Sequence, residues 1–160
     1  MNEILSLLEK DSGLSPREIS EITGISEDEV SEIISRAERD GTILKYSAVV
    51  DWDKVPGGGA VMALIEVKIT PQRGAGYDRI AERILRYEEV ESLYLMAGAY
   101  DLACLVRADT MREISEFVFA HLAAIEGVTS TSTHFIMKRY KEKHSVFEKE
   151  QEQEERGLFT

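Results

Sequence analysis

The segment Ser26–Gly41, SEDEVSEIISRAERDG, carries side chains that could form hydrogen bonds with nucleic-acid bases. Asp28 and Glu32 could accept a hydrogen bond from cytosine N4, while Ser31 and Ser35 could bond to groove edges or to phosphate. This chemistry would be direct reading of duplex DNA by a helix, with nearby basic residues binding the phosphates. The residues predicted to contact DNA are Ser26, Asp28, Ser31, Glu32, Ser35, Arg36, Arg39 and Lys45.

The charge of this segment also supports a purely structural interpretation. Its first seven residues contain four acids and no positive charge. Acidic side chains stabilise the first turn of a helix through its dipole, and Glu32 could pair with Arg36 one turn later. The acids would then stabilise the helix rather than read bases, and the sequence leaves both interpretations open.

The distribution of charge bears on how strongly the chain could bind DNA. The net charge is −11, and residues 1–50 hold five Lys and Arg against eleven Asp and Glu, a balance of −6, which leaves −5 for the remainder. DNA affinity depends heavily on neutralising phosphates, so this balance argues against broad nonspecific binding. Two alternatives follow from this charge balance. In the first, each domain binds DNA weakly and several domains in one assembly raise the affinity by roughly 10² to 10⁴. In the second, DNA binding has been lost.

Capping residues and apolar spacing predict the helices that would position these side chains. The first helix spans Asn2–Lys10. The second begins after Ser15, a candidate N-cap followed by Pro16 and, three residues after the cap, by Glu18. Gly24 can take the positive φ that ends this helix.

The third helix is predicted to begin after Ser26, which would form a capping box with Glu29. Ile19 and Ile22 of the second helix are expected to face inward. Thr42–Asp51 alternates like a short strand pair, so helix, glycine turn, helix and wing predict a winged helix-turn-helix. The buried stripe of the third helix has helical spacing and comprises Val30, Ile33, Ile34 and Ala37.

The pattern changes after Pro56–Gly59, PGGG, so residues 51–59 are predicted to be a linker. Beyond it the order βαββαβ predicts an α+β, ferredoxin-like sheet with two helices on one face. The other face needs a cover, and a partner subunit is the natural one. The predicted strands are 60–70, 91–98, 100–108 and 128–141, and the predicted helices are 77–90 and 111–125.

These elements predict two domains and a tail. Residues 1–50 would form the winged helix-turn-helix domain, and residues 60–140 the ferredoxin-like domain. Residues 141–160 are mostly charged and low in apolar side chains, which is typical of a solvated tail. The alternative is an arm that lies on a neighbouring subunit.

The whole layout resembles the Lrp/AsnC family of feast-or-famine transcription regulators over about residues 2–140. The motifs that carry the resemblance are GISEDEV followed by ERDGTI, the GAYDLACLV turn and strand, and the STSTHFIMKRYK strand. The turn looks like the family's Gly-x-Tyr-Asp-Leu motif, here Gly98, Tyr100, Asp101 and Leu102. The family commonly places Arg or Lys on the recognition helix, where this chain has Ser31, Glu32, Ile33 and Ser35.

The resemblance implies a regulator that binds double-stranded DNA through the first domain. It also implies a homodimer through the second, ferredoxin-like (RAM/ACT-like) domain, assembling into higher oligomers. That domain would sense a small-molecule effector, an amino acid or a related metabolite, at a cleft between subunits. The expected role is regulation of amino-acid metabolism, and the alternative is a metabolite-sensing or partner subunit without DNA binding.

The second domain offers the candidate effector-binding residues. Gly98 is expected to permit a turn that a side chain would block, and Tyr100 could form the wall of a pocket. Asp101 could meet an ammonium group or a backbone amide, or act as a turn-stabilising Asx residue. Strand alternation puts Thr133 and His134 on opposite faces, and His134 is either a ligand contact or an ordinary interface residue. The predicted effector site comprises Gly98, Ala99, Tyr100, Asp101, Thr133 and His134.

Other classes of function find little support in the sequence. No cofactor, metal or catalytic site is predicted, since there is no cysteine–histidine cluster, nucleophile elbow or phosphate loop. Siroheme decarboxylases share the two-domain layout, but LYLMAGAYD lacks their usual His-Asn-Tyr segment. No apolar run is long enough to predict a membrane span. The lone cysteine, Cys104, is expected to be a small buried hydrophobe in a cytoplasmic protein.

Overall fold

A computed structural model describes residues 1–70 and 76–147. The chain forms two compact units. One comprises Met1–Val50 together with the described segment that begins at Tyr140, and the other comprises Asp51–Arg139. No helix in the described ranges is both long and apolar enough to cross a bilayer.

The first unit contains three helices around a small apolar core. They are α1 (Asn2–Lys10), α2 (Pro16–Thr23) and α3 (Glu27–Arg39). Ser15 caps α2 in a complete capping box with Glu18, as predicted. The buried core side chains are Ile4, Leu8, Ile19, Val30 and Ile33, with Ala37 also buried.

Three predictions for this unit need correction. Ile22 is 57% exposed rather than inward-facing, because it lies in the last turn of α2 and Ile25, after the turn, packs against the core instead. Ile34 is only half-buried. The Ser26 hydroxyl accepts a hydrogen bond from the Glu29 amide, but no capping-box bond returns from the Glu29 side chain between these two described residues.

The strand pair predicted for the wing is not formed, since no strand lies within residues 42–50. One backbone and one side-chain hydrogen bond, rather than a strand ladder, anchor this segment to α3. The Ile43 amide donates to the Ala37 carbonyl at 2.9 Å, and the Tyr46 hydroxyl donates to Glu38 Oε1 at 2.9 Å. Leu44 is 88% exposed, so the alternation of apolar residues does not correspond to a buried strand face here.

A short hairpin accompanies the helices of the first unit instead. It consists of β5 (Lys141–Glu142) and β6 (Ser145–Val146), and its register leaves Lys143 and His144 as a two-residue turn. The start of the predicted solvated tail is therefore ordered structure. The rest of that predicted tail, residues 148–160, lies outside the described residues.

The second unit contains a four-stranded antiparallel sheet, preceded by a 3₁₀ turn at Trp52–Lys54. The strands are β1 (Val61–Ile69), β2 (Val90–Leu95), β3 (Leu102–Ala108) and β4 (Val128–Phe135). Their order in the sheet is β2-β3-β1-β4, the arrangement of a ferredoxin-like fold. The helices are α4 (Asp78–Ile84) and α5 (Met111–Phe117), and α5 continues as a π-helical turn at Val118–Leu122.

Alternation along β1 divides the sheet into two faces. Ala63, Ile65 and Val67 point to the helices and join the main core with Ile84 and Ile114. β4 is shorter than the predicted strand 128–141, because its partner β1 begins only at Val61. Their pairing ends where the Ile136 amide donates to the Met62 carbonyl.

Candidate functional site

The side chains predicted to contact DNA share one face of α3. Asp28, Ser31, Glu32, Ser35, Arg36 and Arg39 follow helical spacing and lie opposite the buried stripe. The two serines are half-buried, and the four charged residues are exposed. Ser26 differs from them, because its hydroxyl oxygen already accepts the Glu29 amide at 3.4 Å as the helix cap.

The charges on this face are separated along the helix. Acids occupy the first turn of α3, and Arg36 and Arg39 occupy the last. The predicted pair between Glu32 and Arg36 is not formed, and within residues 1–70 and 76–147 Arg36 has no ion-pair partner within 4.0 Å. A hydrogen bond from Thr42 lowers the pKa of Asp40, with smaller help from the two arginines. Arg36 and Arg39 thus remain available to a phosphate.

Lys45 lies on the strandless segment that follows α3. The hydroxyl of its neighbour Tyr46 donates a hydrogen bond to Glu38, which fixes the segment to α3. Burial and this hydrogen bond raise the pKa of Tyr46. Lys45 itself is exposed. The positive charge predicted for the wing is therefore present, although no wing strands carry it.

The turn between β2 and β3 contains the first four residues of the predicted effector site. Gly98 and Ala99 are exposed, and Tyr100 and Asp101 are half-buried. The predicted reason for Gly98 is wrong: its φ is outside the left-handed range, and a Cβ built there meets no atom within 4 Å. The chain itself therefore does not require glycine at this turn.

Asp101 ties the turn to the end of β1. Its Oδ2 accepts the Ile69 amide at 2.7 Å, and Lys68 Nζ lies 3.4 Å from the same oxygen. The Tyr77 hydroxyl donates to Oδ1 at 3.5 Å. The Ile69 hydrogen bond chiefly lowers the pKa of Asp101, with Lys68 and Tyr77 adding to it. Of the predicted partners, Asp101 therefore meets both a backbone amide, that of Ile69, and an ammonium group, that of Lys68. Both partners are distant in sequence, so Asp101 does not form the predicted Asx turn with them.

Thr133 and His134 lie away from this turn and on opposite faces of the sheet. Thr133 pairs with Ile65 on the helix-covered face, and His134 pairs with Leu64 on the other. Thr133 lies beside Ile65, whereas Asp101 is bonded to Ile69. These two positions on β1 are four residues apart, which is about 13 Å along the strand. Six residues were predicted as one site, but a single chain does not bring them all together.

The sheet face opposite α4 and α5 carries both polar and apolar side chains, and we call it the helix-free face. Glu66 Oε2 and Ser132 Oγ lie 3.0 and 3.2 Å from His134 Nε2. Around this polar group, three large apolar side chains are exposed: Leu64, Tyr94 and Ile136. Such a mixture of aromatic, aliphatic and hydrogen-bonding groups suits a protein–protein contact.

Comparison with known protein families decides the classification. The family model of the Lrp/AsnC ligand binding domain matches residues 62–146, and a winged helix-turn-helix DNA-binding model matches residues 2–43. The chain belongs to the Lrp/AsnC family. It is therefore a transcriptional regulator with a DNA-binding helix-turn-helix and a ligand-binding domain, and its relatives are regulators rather than enzymes.

Individual Lrp/AsnC relatives match over most of their length. The HTH-type transcriptional regulator YugG of Bacillus subtilis is 46% identical over 91% of this chain and 88% of its own. The HTH-type regulator FL11 of Pyrococcus furiosus is 32% identical over 88% of this chain and 89% of its own. A transcriptional regulator from Neisseria meningitidis, solved in complex with L-Met, is 25% identical with a TM-score of 0.70, over 88% of this chain and 89% of that one.

Sequence reasoning missed two groups of residues. Lys68 and Tyr77 bind Asp101. The pairing of β1 with β3 brings Lys68 to Asp101, whereas Tyr77 reaches it from the start of α4. The hairpin 141–146 was included in the tail, although the run KRYKEKH is the most basic stretch of the chain. That local excess of positive charge in an acidic protein was the available sign that this segment differs from a solvated tail.

Proposed function

We propose that this Lrp/AsnC regulator binds specific DNA sequences upstream of genes of amino-acid or related metabolism and senses an amino acid through residues 60–140. The observation that carries this proposal is the ligand-binding family match over residues 62–146. The Neisseria meningitidis relative was solved with L-Met, which makes an amino acid the first class of effector to test. We also place the protein in the cytoplasm, where it would meet its operator.

The proposed DNA contacts are the exposed face of α3 and Lys45. Arg36, Arg39 and Lys45 would bind phosphates, while Asp28 and Glu32 would accept hydrogen bonds from cytosine amino groups. The serines would add contacts to groove edges. Because the first turn of α3 is acidic, each domain would bind weakly, and several domains in one assembly would provide the affinity.

Dimerisation through the helix-free face would complete the effector site. The turn at Gly98–Asp101 and His134 on the helix-free face are separated within one chain, so two subunits would need to contribute them together. Thr133 lies on the helix-covered face and would not be brought in by this contact. Asp101 is already bonded to Ile69, which leaves Tyr100 and the exposed backbone of Gly98 and Ala99 as the effector contacts of the turn.

The test of DNA binding is fluorescence anisotropy on labelled DNA from upstream of the protein's own gene, titrated across a salt series. Specific binding should exceed binding to scrambled DNA of the same composition. The logarithm of affinity should fall with the logarithm of salt by about 0.9 per neutralised phosphate. Adding an amino-acid pool, and then L-Met alone, should shift the titration midpoint if the second domain senses it.

A folded protein that does not retain DNA even at low salt would overturn the DNA-binding part. The acidic first turn of α3 favours that second candidate, a metabolite-sensing or partner subunit. Thermal-shift measurements with the same amino-acid pool would then test sensing alone, because a bound ligand raises the melting temperature without DNA.

Oligomer formation has its own test by light scattering. Leu64→Asp places a charge on the helix-free face and should shift the protein from dimer or larger assembly to monomer. Phe119→Asp is the matched control, because Phe119 is an exposed apolar residue beyond α5, on the helix-covered side. A wild-type monomer at micromolar concentration would remove the basis of the proposal.

A further inference from the structure

A groove in the first unit collects most of the basic side chains that lie outside α3 in the described part of that unit. The groove has a volume of about 1020 Å³ and is lined by α1 with the turn after it, by residues 42–49 and by residues 143–145. Lys10, Lys45, Lys143 and His144 line it, against Glu9 and Asp11. Residues 1–50 carry five basic against eleven acidic side chains, so this local excess of positive charge runs against the rest of the unit. We call it the hairpin groove.

The groove adjoins the C-terminal half of α3. Residues 42–49 form one of its walls and follow α3 directly. The Ile43 amide bonds to the Ala37 carbonyl, and the Tyr46 hydroxyl bonds to Glu38. Lys45 is therefore held beside the end of α3 that bears Arg36 and Arg39. Lys45 and these two arginines therefore bring positive charge to the end of α3 that is away from its acidic first turn.

The hairpin turn that contributes Lys143 and His144 is strained. Both residues have positive φ, 41° and 70°, as in a type I′ turn between paired strands. Asn and Gly are the residues that fit such turns best, because a Cβ disfavours the left-handed conformation. A lysine and a histidine therefore occupy positions where neither is the structurally preferred residue, which points to a role for the side chains themselves.

In the part of the chain that the structure describes, the lysines of the groove form no ion pair. Within residues 1–70 and 76–147, no carboxylate lies within 4.0 Å of Lys10, Lys45 or Lys143. A salt bridge would have been the ordinary way to hold such side chains in an acidic unit. Their charge remains available to an external anion.

We propose that the hairpin groove binds the DNA phosphate backbone beside the site contacted by α3, and that the 141–146 hairpin takes the role of the missing wing. This rests on the proposed DNA binding and assigns part of its electrostatic contribution to residues outside the helix-turn-helix. Phosphate contacts fix position and affinity without reading sequence, which allows α3 to keep acidic side chains for base contacts.

The test uses the full chain and two variants. Lys143→Asn with His144→Gly removes the charge but introduces the residues that a type I′ turn prefers, so the hairpin should be kept or stabilised. Lys45→Gln tests the opposite wall without touching the hairpin. Arg83→Gln is the control, because it removes one exposed positive charge from α4 in the other unit.

Each variant should reduce the slope of log affinity against log salt by about 0.9 for every phosphate that it no longer neutralises. Between about 50 and 200 mM salt, the variant should therefore lose affinity by a factor about 3.5-fold smaller than the wild type does, for each phosphate no longer neutralised. The change should be the same on operator and scrambled DNA, and Arg83→Gln should leave the slope unchanged.

Three results would overturn the proposal while leaving the regulator function intact. They are wild-type slopes in both groove variants, an equal change in Arg83→Gln, or an effect confined to operator DNA, which would indicate base reading. A folded wild type that binds no DNA would refute both this proposal and the DNA-binding function. Melting temperatures identify a groove variant that has lost its fold. In that case the salt dependence of the other groove variant tests the proposal.

Discussion

Replacing Gly98 by alanine separates a conformational role of this glycine from a binding role. A glycine in a family motif is readily explained by a turn that only glycine can adopt. Here the backbone at Gly98 is outside the left-handed range, and a Cβ would have no neighbour within 4 Å. Gly98→Ala should therefore be accepted by the isolated chain without strain.

The expected magnitude follows from the unfolded state. At a position whose φ and ψ suit alanine, replacing glycine stabilises a protein by about 0.4–1 kcal/mol, because the unfolded chain loses conformational freedom. In a domain of this size, that corresponds to a rise in melting temperature of roughly 2–8 °C.

Gly127→Ala is the matched comparison in the same unit. Gly127 has φ of 97°, and its Cβ would lie 3.0 Å from Ile80 Cδ1. The left-handed conformation costs a residue with a Cβ roughly 1–2 kcal/mol, so this variant should melt at a lower temperature than the wild type. Differential scanning calorimetry of the three proteins at one concentration measures both effects.

A fall in melting temperature of Gly98→Ala similar to that of Gly127→Ala would refute the reasoning, because the turn would then require glycine for its own conformation. If Gly98→Ala instead keeps or raises the melting temperature but weakens the effect of the amino-acid pool on DNA binding, an effector molecule would contact Gly98. Anisotropy titrations with and without the amino-acid pool provide that second measurement.

Three further predictions concern stability and reactivity. Ser15→Ala removes the hydroxyl that caps α2 and should lower the unfolding free energy by about 0.5–2 kcal/mol in urea titrations, whereas Ser12→Ala should change it little. Asp101→Asn should destabilise the protein at neutral pH and flatten its acid dependence. The pKa of the Asp101 carboxyl is lowered from its ordinary value of 3.8, so the wild-type carboxylate stabilises the fold fully above pH 3.8. That stabilisation is lost as the pH falls through the lowered pKa. Equal acid dependence of stability in the wild type and the variant would contradict this. Burial raises the pKa of Cys104 to about 12, so a disulfide reagent at pH 8 should label it only after unfolding, and rapid labelling of the native protein would show that the strand is not buried.

Local patterns predicted the helices of the first unit well. The bounds of α1 were predicted directly, and the cap at Ser15 and the positive φ at Gly24 were confirmed. These features depend on residues within a few positions of each other, so their physical causes are contained in a short segment. The order of strands and helices in the second unit followed for the same reason, since hydrophobic periodicity is a local signal.

What the sequence determined by itself was therefore the identity and order of most elements, with the helix caps and the family motifs. Tertiary structure decided which segments found partners. The predicted wing at Thr42–Asp51 paired with no strand in the described chain, while Lys141–Val146 formed a hairpin in its unit. Asp101 was bound by Ile69, which lies 32 residues earlier. The Asp101–Ile69 hydrogen bond and the pairing of β1 with β3 and β4 join residues distant in sequence, so no local pattern encodes them.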